Sequence, residues 1–154
     1  MTTGDWGETA RRAMGGEGHR LGGAREAVVE LLARQDCCLS AQEISARLRS
    51  RGSGVGIASV YRTLDLLHGL GLVQRVDVGE GGQRYEPVIP GGEHHHHAVC
   101  DSCGAVTPFD DTSLEQAITR VSSRLGHATS GHDVVIRGTC TRCERTRPAR
   151  RRAQ

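Results

Sequence analysis

The sequence contains no lysine, only four aromatic residues (Trp6, Tyr61, Tyr85 and Phe109) and no long hydrophobic run. With so few bulky anchors, any core must rest on Val, Leu, Ile and Ala, and a further source of stability is expected. No stretch approaches the roughly twenty apolar residues that a membrane span needs. The polar, partly acidic start also lacks the basic and then apolar character of a secretory signal. A soluble, cytoplasmic protein with no membrane partner is the expectation. Charge of one sign is missing as well: twenty Arg stand against eighteen acidic residues, for a formal net charge of +2. Charge alone therefore gives no argument for nucleic acid. At 154 residues the chain is too short for a large barrel enzyme or a dinucleotide-binding dehydrogenase, and it suits one ordinary domain or two small ones.

What is present is organised in segments. Residues 1–17 hold several glycines and no apolar periodicity, and read as a mobile arm. From Arg25, the positions Ala27, Val28, Leu31 and Leu32 recur at helical spacing. Ser40-Ala41-Gln42-Glu43 has the form of a capping box and opens a second helix that carries Ile44 and Leu48 and stops by Gly52. A third helix puts Ile57, Val60, Leu64 and Leu67 on one face and ends at the glycines Gly69 and Gly71. Two strands follow, 72–78 and 83–86, joined by a glycine turn. Three helices and a β-hairpin make a winged helix-turn-helix, here over 18–88. Pro87 to Gly92 interrupts the pattern, with 89–93 as a hinge.

Beyond it lies a small α+β unit, 94–143. It has a histidine-rich strand, a helix carrying Leu114, Ile118, Val121 and Leu125, and a strand from Asp133 to Arg137. A unit of roughly fifty residues normally needs a metal or a partner subunit to hold its fold. The arginine-rich end, 144–154, reads as a disordered basic tail.

Cys100-Asp101-Ser102-Cys103 and Cys140-Thr141-Arg142-Cys143 carry the strongest chemistry. Two residues between cysteines let both sulfurs turn toward one ion, so the two pairs can close a tetrahedral four-thiolate zinc site. Such a site has no open position for water and is structural. Four consecutive histidines precede the first pair. Alternation along a strand turns His95 and His97 to one side and His94 and His96 to the other. Two metal sites are thus expected, completed by distant residues such as Glu86, Glu115, His132, Cys37 or Cys38. On the third helix Val60 and Leu64 face inward, which leaves Ser59, Tyr61, Arg62 and Thr63 to face the major groove of DNA. From 45 to 65 there are four arginines and one acid, Asp65, so this surface is locally basic.

Taken in order, Ala58-Ser59-Val60-Tyr61-Arg62-Thr63-Leu64, Arg84-Tyr85-Glu86, the run from His94 to Gly104 and Gly138-Thr139-Cys140-Thr141-Arg142-Cys143 resemble the ferric uptake regulator (Fur) family of metal-dependent repressors. The resemblance covers about Gly18 to Cys143. It implies an α+β homodimer, in which the N-terminal winged helix binds a palindromic double-stranded DNA operator and the C-terminal unit dimerises, stapled by its four-cysteine zinc. It implies that Tyr61 and Arg62 make groove and phosphate contacts and that Arg20 reaches the minor groove. It implies a second site of His94, His96, Glu115 and His132. Glu86, His95 and His97 match most of a regulatory site at the hinge.

The chain also departs from the family pattern. Its iron sensors commonly supply a first-domain histidine where this chain has Cys38, and a thiolate favours zinc over ferrous iron. Its zinc sensors usually carry a cysteine near the hinge strand, where Pro87 and Val88 stand here. The regulatory ion is therefore expected to be Zn2+ or Fe2+, with Cys38 as a further ligand. The reading is a metal-responsive repressor of metal homeostasis genes and not an enzyme. The alternatives are a zinc-storage or thiol-redox protein and a small zinc metallohydrolase.

Overall fold

A computed structural model describes residues 3–16, 18, 22–35, 37–79, 82–89 and 95–146. The chain divides into two compact units, 1–93 and 94–154. Among the described residues no helix is long and apolar enough to cross a membrane.

The first unit contains helices α1 (Thr3–Gly16), α2 (Gly23–Leu32), α3 (Ala41–Ser50) and α4 (Ile57–Gly69), and strands β1 (Leu39–Ser40), β2 (Val73–Asp77) and β3 (Gln83–Pro87). The expected capping box forms: the Ser40 hydroxyl accepts from the Glu43 amide at 3.1 Å, and the Glu43 carboxylate accepts from the Ser40 amide at 2.8 Å. Two N–H groups that the first turn would leave unpaired are thereby satisfied. Helix α4 stops where Gly71 takes a φ of +68°, a conformation that costs glycine nothing. The strands order as β1-β3-β2, all antiparallel, with Leu39 opposite Tyr85 and Arg75 opposite Tyr85 on the other side. Val28, Leu31, Leu32, Ile44, Val60, Leu64 and Leu67 fill the space between helices and sheet.

Two expectations for the chain ends are corrected. The N-terminal segment is not a mobile arm, because Thr3–Gly16 is a helix whose Trp6, Ala10 and Met14 are fully buried in the core. Those three residues repeat every fourth position, one stripe along a helix. The Trp6 indole N–H donates to the Leu72 carbonyl at 2.8 Å, so the polar edge of this large ring is satisfied inside. At the other end, helix α6 (Thr141–Thr146) carries the first three residues of the expected tail, and 147–154 lie outside the described residues.

The second unit has β4 (His96–Cys100), β5 (Val106–Phe109), α5 (Thr112–Arg124), β6 (Val135–Gly138) and α6. Its sheet orders as β5-β4-β6, with β4 antiparallel to β5 and parallel to β6. The last strand begins at Val135, two residues later than expected. Helix α5 is capped by Asp111, whose side chain accepts from the Leu114 amide at 2.8 Å. None of its residues is fully buried, and Val121, Leu125 and Ile136 are left 43, 65 and 53% exposed.

Candidate metal centres and nucleic-acid interface

The parallel pairing of β4 and β6 sets Cys100 opposite Gly138, so the end of one strand lies beside the turn leading to the second cysteine pair. After Cys103, Gly104 adopts a φ of +69° and its amide donates to the Cys100 carbonyl at 2.8 Å, closing a tight knuckle. A side chain there would be strained. Cys100, Cys103, Cys140 and Cys143 thereby bring their sulfurs within 4.8 Å of one another. The Cys103 and Cys140 sulfurs are 4.0 Å apart. A tetrahedral zinc with Zn–S bonds of about 2.3 Å sets its sulfurs about 3.8 Å apart, so the four residues fit that ion.

Their electrostatics ask for a cation. The Cys140 amide donates to the Cys100 sulfur at 3.3 Å and, with further amides of the knuckle, draws the Cys100 thiol down to about 6. The Ala105 amide and the Arg142 guanidinium, 3.6 Å away, lower Cys103. Sharing hydrogen bonds with Cys103 and Cys140 pushes Cys143 up to about 12. A bound zinc ion would favour the thiolate form of its ligands.

The second cluster is built from the start of β4, helix α5 and the segment before β6. His96 is 1% exposed, and its Nε2 donates to Glu115 Oε1 at 2.7 Å. His132 Nε2 reaches Glu115 Oε2 at 3.0 Å, and the three residues form a group with metal-ligand spacing. Partial burial works to raise the Glu115 carboxyl, but the two imidazole hydrogen bonds outweigh it and hold Glu115 below the ordinary value. Two nitrogens and a carboxylate suit zinc, iron or nickel. His94, the fourth expected member, lies outside the described residues.

The remaining expected ligands are placed in both units. In the second, His95 and His97 project to one side of the strand, their ring centroids 5.0 Å apart. In the first, Glu86 lies on β3 and accepts from the Gln74 side chain. Cys38 directly precedes β1. Since Leu39 pairs with Tyr85 in an antiparallel ladder, the next step of the register sets Cys38 beside Glu86. Cys38 is 2% exposed, and its thiol is pushed far up by its hydrogen bond with Cys37, by burial and by the negative charge of Glu86.

On α4, Tyr61 and Arg62 are exposed and Ser59 is half-buried. Gln42 of α3 donates to the Tyr61 hydroxyl at 3.0 Å, and Arg62 donates to the Ser59 hydroxyl at 3.0 Å. Thr63 is a correction: it is 2% exposed and its hydroxyl donates to the Ser59 carbonyl at 2.8 Å. It belongs to the inward face with Val60, Leu64 and Leu67, so it presents almost no surface to DNA. Arg20 lies outside the described residues. Ser59, Arg62 and the little of Thr63 that is accessible line a hollow of about 340 Å³ with Gly22, Gly23 and Arg25 at the start of α2. Neither Arg25 nor Gln42 was expected to take part. Their signal is three-dimensional, since each meets α4 from another helix.

A family model described as the ferric uptake regulator family matches residues 16–137. The chain is 34% identical over 127 residues to the ferric uptake regulation protein of Bacillus subtilis, covering 81% of this chain and 85% of that one. Its fold superposes on that of the Helicobacter pylori ferric uptake regulator, a structure described as revealing three functional metal-binding sites. The TM-score is 0.80 at 28% identity, with 94% and 95% of the two chains covered. A zinc uptake regulator complexed with zinc and DNA matches with a TM-score of 0.54 at 26% identity, over 94% and 97% of the chains.

Proposed function

The chain belongs to the ferric uptake regulator family, and on that premise we propose that it is a cytoplasmic, metal-responsive transcriptional repressor that binds DNA and controls metal homeostasis genes without catalysing a reaction. One observation carries the reading: a winged helix presenting Tyr61 and Arg62 shares a chain with clustered thiolate and imidazole ligands. Cys100, Cys103, Cys140 and Cys143 hold a structural zinc. His96, Glu115 and His132, with His94, hold a second ion. Glu86, Cys38, His95 and His97 are the ligands of the regulatory ion, Zn2+ or Fe2+.

Because that ligand set draws on both units, metal occupancy is coupled to the form of the protein that binds DNA. A bound divalent cation supplies charge neutralisation for this ligand set. The chain does the rest: Gln74 orients Glu86, and the β1–β3 ladder holds Cys38 at its place. The exposed Val121, Leu125 and Ile136 support a homodimer, since large apolar side chains left in water favour a partner. A dimer reads two half-sites of a palindromic operator about one helical turn apart, with Arg20, Ser59, Tyr61 and Arg62 toward the duplex.

The test is operator binding on the protein's own upstream region, measured by fluorescence anisotropy under anaerobic conditions with Zn2+, Fe2+, Mn2+ or Ni2+. Affinity is expected to rise about a hundredfold with the sensed ion, equivalent to about 2.7 kcal/mol of coupling. Replacing His95 and His97 by Ala abolishes that rise and spares the circular dichroism spectrum. A wild-type protein that grips the duplex equally with and without metal would overturn the proposal.

A further inference from the structure

Cys37 has no part in the ligand set above, yet its sulfur lies 3.9 Å from that of Cys38. Consecutive residues of a strand point to opposite faces. The bend at Cys37, before β1 begins, instead brings both sulfurs together. The separation is too long for a disulfide, whose sulfurs are about 2.05 Å apart. It is the edge of a tetrahedral thiolate site, about 3.8 Å for Zn–S bonds of about 2.3 Å. The Cys103 and Cys140 sulfurs, inside the four-cysteine cluster of the same molecule, are 4.0 Å apart and give an internal yardstick.

We propose that Cys37 and Cys38 form a dithiol half-site, with the Glu86 carboxylate beside them, that takes a thiophilic d10 divalent cation, zinc in the working protein. This rests on the regulatory reading above and deepens it, by adding Cys37 as a ligand and by naming the class of ion. Binding replaces two thiol protons: two Cys–SH and M2+ give a dithiolate complex and two H+, with no electron transferred. Two thiolates discriminate against ferrous iron and manganese, which prefer harder donors. Cys38 is buried and Cys37 half-buried, so the ion on this pair is partly shielded from water. That shielding strengthens its attraction to the two charges.

The experiment adds Co2+ to full-length protein whose four-cysteine site keeps its zinc, as verified by native mass spectrometry. Each bound thiolate contributes to the sulfur-to-cobalt charge-transfer band. The wild type is expected to show the band, Cys37→Ser and Cys38→Ser each to lose about half its intensity, and the double variant to lose all of it. The preference for zinc over manganese is expected to fall at least about tenfold in Cys37→Ser. X-ray absorption on the cobalt-loaded wild type needs no variant and is expected to count two sulfur neighbours.

A full band in Cys37→Ser, or one sulfur neighbour or none, overturns the dithiol. The His95/His97 double variant separates the two readings. If its operator binding still responds to metal while the two-thiolate band persists, the regulatory ligand set fails and the dithiol site stands.

Discussion

Glu43 does three jobs with one carboxylate. Its Oε2 accepts from the Ser40 amide at 2.8 Å, the Ser40 hydroxyl at 3.0 Å and the Arg84 guanidinium at 2.7 Å. Burial works to raise this carboxyl, but the Ser40 amide and Arg84 prevail and lower it below the ordinary 4.5. A depressed folded value means that the contribution to stability is complete above 4.5 and is lost as the pH falls through the lowered value. Urea unfolding of the first unit between about pH 3 and 6 should therefore show stability falling on acidification, and Glu43→Gln should flatten that part of the profile. At neutral pH the variant should cost about 1 kcal/mol, the usual value of a helix cap.

This box was legible in the sequence because all its parts lie within four residues. Thr63 reads as outward for its polar side chain, although its position three residues after Val60 and four before Leu67 puts it on the buried face of α4. Arg84 was quoted only as part of a motif, since its tie to Glu43 crosses from strand to helix. Cys38 was legible as a departure from a family pattern. The distance between its sulfur and that of Cys37 depends on a bend that no periodicity announces.

Whole elements followed the length of their apolar pattern. Helices α2, α3, α4 and α5 each repeat four or more apolar or capping positions and could be read directly. Strand β1 is two residues long and exists through its pairing with β3, so it had no periodicity to show. Helix α1 was missed because four glycines dilute a stripe of only three residues. Its energetic weight is nonetheless large. Trp6→Ala removes a fully buried indole and should lower the stability of the first unit by about 3–5 kcal/mol, read as a shift in the urea midpoint. Trp6→Phe, which keeps most of the apolar surface and leaves the Leu72 carbonyl without its donor, should cost less. Equal losses for the two variants would mean that the hydrogen bond and not the packing sets the value.

At the scale of the molecule the two units are stabilised by different means. The first has a continuous apolar core, whereas among the described residues of the second the buried ones are Val99, Cys100, His96 and His97. A unit of that kind depends on its metal, and zinc binding there is folding free energy. Removing the zinc of the four-cysteine site with a strong chelator should unfold the second unit and dissociate the dimer, as followed by circular dichroism and sedimentation. An unchanged spectrum after verified zinc loss would sink that expectation.

The lone tryptophan gives the molecule an optical asymmetry. Its indole is sealed in the first unit against the Leu72 carbonyl, and the second unit contains none. Emission excited selectively at tryptophan therefore originates in one half of the chain. Soundness of the second unit has to be judged by a signal that arises within it, since that light reports only on the surroundings of Trp6.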